Sequence, residues 1–127
     1  MPFFDVHTHK NRQDKNVFSI VNTYPNSSHF SEPFSIGIHP WFINKENVEN
    51  ELFFVEKKLQ HKNCFALGEC GLDKLTKADF NLQTTVFKKQ IALSEKYKKP
   101  VILHCVRSFQ KIIKLKKELD NDPKKAF

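Results

Sequence analysis

Nothing in this 127-residue chain stays apolar long enough to cross a bilayer, so no transmembrane helix is expected. The N-terminus lacks a positively charged segment followed by an apolar one, so no secretory signal peptide is expected either. Cysteine is sparse and odd in number: Cys64, Cys70 and Cys105 show no C-x-x-C or other zinc-ribbon spacing. These residues read as reduced thiols of a cytoplasmic protein. There is no internal repeat, no low-complexity tract and no linker, so residues 1–127 read as one domain, long enough to bury a core. Acidic residues are the minority, 14 against 21 Lys and Arg, for a net charge of +7. That balance favours polyanions such as nucleic acid, although lysine-rich solvated helix faces produce the same number.

The elements follow from hydrophobic period and punctuation. Residues 3–7 and "VFSIVN" (17–22) read as strands, and "TYPNSSHFSEPF" (23–34) as a loop rich in Pro, Ser and Asn. "SIGIHPW" (35–41) reads as a short strand ended by Pro40. A helix follows, with Asn44 as its N-cap and Val48, Leu52, Val55 and Leu59 on one face. "CFALGECGLD" (64–73) is a strand running into a Gly-bounded turn, and residues 80–98 form a helix stopped by Pro100. "VILHC" (101–105) has the unbroken apolar character of a strand buried on both faces. A last amphipathic helix covers 108–119, and "NDPKKAF" closes the chain as a turn. From the third strand on, strands and helices alternate, which argues for a parallel sheet.

Polar residues concentrate at the strand ends. His7 and His9 lie two apart, so an extended backbone aims both at one face, as a metal ion requires. His39 ends the third strand, Glu69 the fourth and His104 the fifth. A lone histidine on an apolar strand is more often a satisfied core residue than a ligand. A buried glutamate, however, is costly without a cation, and four strands repeat the pattern. In a parallel β/α barrel the carboxyl ends of the strands form the active-site face.

The stretches "FFDVHTHK", "SIGIHPWF", "ALGECGLDK" and "FKKQIALSEKYKKPVILHC", with Arg107 after them, resemble the TatD-related metal-dependent hydrolases, a branch of the amidohydrolase-like barrels. The resemblance runs from the N-terminus to about residue 119. It implies a TIM-type barrel that hydrolyses ester bonds, with DNA phosphodiesters as the substrate. Divalent cations are implied as cofactors, two in the complete enzyme, with magnesium, manganese and zinc as candidates. By position, His7 and His9 correspond to the pair holding one metal, Glu69 to the bridging and catalytic carboxylate, and His104 to a ligand of the second metal. His39 and Arg107 are assigned to substrate binding, Arg107 because a guanidinium matches phosphate oxygens. Asp73 is read first as a cap of the following segment and second as a group orienting a ligand.

A complete barrel of this type has eight strands and usually about 250 residues. Five strands are counted here, and the first two crossovers leave little room for helices between residues 10 and 34. Two further implied ligands, a histidine after the sixth strand and an aspartate after the eighth, would lie beyond Phe127. The expectation is therefore a truncated barrel whose open sheet edges invite self-association. Alternative readings are a metal-binding remnant without turnover, or a barrel hydrolase of a small cyclic amide or ester.

Overall fold

The computed structural model describes residues 3–9, 17–27, 30 and 32–121. Its elements are β1 (Phe3–Thr8), β2 (Val17–Thr23), β3 (Phe34–Ile36), a 3-10 turn (Pro40–Phe42), α1 (Val48–Leu59), β4 (Cys64–Asp73), α2 (Phe80–Tyr97), β5 (Val101–Val106) and α3 (Phe109–Asp120). The five strands are all parallel and lie in sequential order, β1-β2-β3-β4-β5. Sequential parallel strands with outer helices are the arrangement of one part of a TIM-type barrel. Among the described residues no helix separates β1, β2 and β3, as the short crossovers require.

The core forms where the helices cover the sheet. Val48, Leu52, Val55 and Leu59 recur at helical spacing on α1 and are all buried. They meet Phe34, Ile36 and Leu67 of the sheet and Val86 and Phe87 of α2. Full burial of each such side chain stabilises the fold by about 1.5–3 kcal/mol.

Several boundaries differ from the sequence reading, each for a local reason. Asn44 is not the cap of α1. Its Oδ1 accepts the Glu46 backbone N–H at 2.9 Å in a turn of its own, and the helix starts after Asn47. The third strand is only three residues long, because Pro40 opens a 3-10 turn rather than ending a strand. The second helix stops at Lys98, whose left-handed φ of 54° caps it two residues before Pro100. β5 is not buried on both faces. Leu103 is 48% exposed, because among the described residues β5 is an edge strand that pairs with β4. Of the closing turn, residues 122–127 lie outside the described residues.

Two glutamines of α2 hold the loops that follow the strands. Gln90 is buried and reads both backbone groups of Ile38: its Oε1 accepts Ile38 N–H at 2.7 Å, and its Nε2 donates to Ile38 C=O at 3.2 Å. Gln83, also buried, does the same at Asp73, with distances of 2.8 and 3.0 Å. Gln90→Leu keeps the approximate volume and orphans two buried backbone groups, each worth about 1–3 kcal/mol. The urea unfolding midpoint should fall accordingly with the slope unchanged. A midpoint equal to wild type would show that the clamp does not bear on stability.

Candidate metal centre

Register breaks aim the first two side chains. Between β4 and β5, Gly68 pairs with Ile102 and Cys70 with Leu103, so Glu69 is an extra residue with no partner across the ladder. Between β1 and β2, Asp5 pairs with Ser19 and Thr8 with Val21, which puts one extra residue in the stretch containing His7. A bulge of this kind bends the strand and re-aims a side chain. Glu69 therefore lies within β4, not at its end, and still faces the site. Asn22, buried at the end of β2, holds the bulge open by accepting the Glu69 backbone N–H on Oδ1 at 2.9 Å. Gly71 is needed nearby. Its φ is +151°, and a Cβ there would run into the carbonyl oxygen of His104 on the paired strand.

Around Glu69 the histidines divide by oxygen. His7 Nε2 and His39 Nε2 lie 3.5 and 3.6 Å from Oε1, while His104 Nδ1 lies 3.0 Å from Oε2. The other ring nitrogen of His104, Nε2, lies 2.9 Å from Asp73 Oδ2. Trp41 Nε1–H donates to the same Asp73 oxygen at 2.6 Å, and Leu75 N–H donates to Oδ1 at 2.8 Å. Burial alone raises the Asp73 pKa. The hydrogen bonds from Trp41, His104 and Leu75 outweigh it and hold the carboxyl below its ordinary range. Asp73 thus caps the turn after β4 and orients His104 at the same time.

His39 is buried before the 3-10 turn, and its Nδ1 accepts the Trp41 backbone N–H at 3.1 Å. Burial pushes its pKa down, helped by His104 and opposed by Glu69 and Asp73. A neutral ring whose Nδ1 is an acceptor carries its proton on Nε2. His39 therefore turns a donor toward the centre.

Ligand atoms of His39, Glu69 and His104 all lie within 4.8 Å of one another. The fit to a cation can be tested on distances. Two atoms bound at about 2.05 Å to one tetrahedral ion are about 3.3 Å apart. The 3.5 and 3.6 Å separations at Glu69 Oε1 are long for hydrogen bonds but close to that edge. A carboxylate behind a ligating histidine, as Asp73 stands behind His104, is the usual outer support of a metal site. The donor set of His39, Glu69 and His104 fits a divalent cation, and His7 Nε2 lies 3.5 Å from the same carboxylate.

The remaining candidates are less central. His9 is exposed just beyond β1, its ring 5.3 Å from that of His7 and stacked on Tyr24 at 6.4 Å. Arg107 is exposed directly after β5 with a left-handed φ of 50°, uncommon for a residue with a Cβ. The reading of strand ends missed Asn22, Tyr24 and Trp41. Asn22 carried the same signal as the histidines, a polar residue closing an apolar strand. The Tyr24 hydroxyl is pushed up by burial and by the charge of Glu69, against a hydrogen bond with Asn22.

A parallel β/α sheet with a histidine and carboxylate cluster at this face is the arrangement of a metal-dependent hydrolase. The family model of TatD-related DNases matches residues 3–127, and the chain belongs to that family. It is 29% identical over 93 residues to an "uncharacterized metal-dependent hydrolase" of Haemophilus influenzae, covering 68% of this chain and 35% of that protein. A "3'-5' ssDNA/RNA exonuclease TatD" of Edwardsiella piscicida is 35% identical over 80 residues, 62% of this chain and 30% of the exonuclease. The crystal structure of YjjV, a TatD homologue from Escherichia coli, superposes with a TM-score of 0.69 at 24% identity, over 91% of this chain and 55% of that one. The chain spans about a third of the length of the curated relatives it matches.

The depressed Asp73 pKa contributes stability above the ordinary carboxyl range, and that stability is lost as pH falls through the folded value. Trp41→Phe removes one donor to a buried carboxylate, worth about 1.5–3 kcal/mol near neutrality. The acid unfolding midpoint, followed by circular dichroism, should move to higher pH, and an unmoved midpoint would remove Trp41 from the support of Asp73.

Proposed function

We propose that the chain carries the nucleotide-hydrolysing centre of a TatD-type deoxyribonuclease, a cytoplasmic enzyme acting on phosphodiesters of single-stranded DNA. The observation that carries this reading is the division at Glu69, where Oε1 faces His7 and His39 and Oε2 faces His104. A carboxylate with histidine nitrogens facing both of its oxygens is suited to bridge two cations. His7, with His9 beside it, would hold one cation, and His104 the other. Bound there, divalent cations supply a more acidic water and offset charge on an in-line phosphoryl transition state.

The chain's own residues do the rest. His39 Nε2–H and the Tyr24 hydroxyl donate toward the non-bridging phosphate oxygens. Asp73 holds the His104 ring so that Nδ1 faces the bridging carboxylate. Arg107 offers its guanidinium to the next phosphate. A net charge of +7 raises the local concentration of a polyanion. The cytoplasmic assignment rests on the thiols: Cys64, Cys70 and Cys105 are unpaired, and burial pushes Cys70 far above its ordinary pKa. Residues 1–127 act in this reading as one partial barrel domain.

Two measurements test it. Isothermal titration with zinc or manganese should show binding to the wild-type chain and its loss in Glu69→Gln. Manganese-dependent cleavage of a labelled single-stranded oligonucleotide should fall to background in the same variant. Asp73→Asn, which weakens the outer support of His104 along with the contacts to Trp41 and Leu75, should cost about 10–100-fold in metal affinity, with circular dichroism confirming the fold. Metal binding indifferent to both substitutions would sink the assignment. Binding of one cation without turnover would favour the alternative, a metal-holding remnant.

A further inference from the structure

Beside the centre, a cleft of about 660 Å³ opens between the end of β2, the 3-10 turn and the first turn of α1. Tyr24 and Phe42 form its wall on the side of the centre, and Asn44, Asn47, Asn50 and Glu51 line it further out. The wall is continuous with the metal centre through ring contacts. His39 packs on Phe42 at 5.3 Å, Phe42 meets Tyr24 edge-on at 5.6 Å, and His9 stacks on Tyr24. Phe42 touches His39 and Tyr24 with part of its ring and is still 57% exposed, which leaves aromatic surface facing the cleft.

The charge pattern says what such a cleft can take. No lysine, arginine or histidine is among the described residues that line it, and one carboxyl is. The N-terminus of α1 does not make it a phosphate site, because Glu49 and Glu51 already occupy that first turn. A phosphate would meet repulsion there. A neutral planar ring with donors and acceptors on its edge meets aromatic faces and carboxamides, each of which both donates and accepts.

We propose that this cleft receives an unpaired nucleobase of a single-stranded nucleic acid whose phosphodiester lies at Glu69. The base stacks against Phe42 and Tyr24, and its edge is read by the Asn47 and Asn50 amides. This rests on the phosphodiesterase reading of the centre. It adds where the base beside that phosphodiester is held, a position a base paired in a duplex cannot reach.

The test uses the full chain and a fluorescently labelled oligothymidylate, with fluorescence anisotropy as the readout. The base is removed at one position at a time, leaving an abasic sugar. Removal at one position near the 3′ end should weaken binding about ten-fold, the scale of one stacked base. Phe42→Leu and Asn50→Ala should each shrink that ratio, with thermal unfolding confirming that both variants fold. The cleft proposal is overturned if no position distinguishes the abasic oligomer, or if the ratio survives in both variants. Should the oligomer still bind, or be cleaved with manganese, the nuclease reading stands without the cleft. Neither binding nor cleavage overturns both.

Discussion

The carboxylate of Asp73 is the point on which the site turns. It lies almost wholly inside the protein, where an unsatisfied charge would cost several kcal/mol. Three donors answer it: the indole of Trp41, the ring of His104 and the backbone of Leu75. Each comes from a different part of the chain, namely the 3-10 turn, β5 and the turn after β4. Satisfying one buried charge therefore fixes three segments at once. The two that carry His39 and His104 are brought together, their rings 4.4 Å apart. The ligand geometry at Glu69 is a consequence of this arrangement as much as of the sheet itself.

The sheet contributes by being imperfect. In a regular ladder Glu69 would follow the alternation of its neighbours, Gly68 and Cys70, which are both buried. The extra residue at this point of β4 breaks the alternation and lets a charged side chain reach the face where the histidines end. Asn22 then takes up the backbone N–H that the bulge takes out of the ladder. Such a site is built from two deviations, in β1 and in β4, the second held by Asn22, which reaches across from β2.

Much of this was legible in the sequence. The apolar periods of α1 and α2 and the run of β4 place those elements to within a few residues, because burial imposes the pattern directly. His7, His39, Glu69 and His104 stand out because a titratable group closing an apolar run has few structural uses. The bulge was not legible, since it exists only in the pairing of two strands distant in sequence. The role of Trp41 was hidden for the same reason: its partner lies 32 residues away. The burial of β5 was misread because "VILHC" has the composition of an inner strand, while its exposure depends on what lies beside it. Asn44 was misread because Asn closes Asx turns and caps helices by the same hydrogen bond, and "NKEN" offers both.

Gln83 and Gln90 are seven residues apart on α2, close to two helical turns, so they sit on one side of the helix about 10.5 Å from each other. One grips the end of β4 and the other the residue before His39. The helix is thus a measuring rod laid across the outside of the barrel, setting the spacing of the two loops that supply the centre. Inserting a single residue between the glutamines would swing one of them about 100° around the axis and release its loop. Sequence drift on the exposed side of this helix can be free in composition while its length between these two positions stays locked to the chemistry on the opposite side of the sheet.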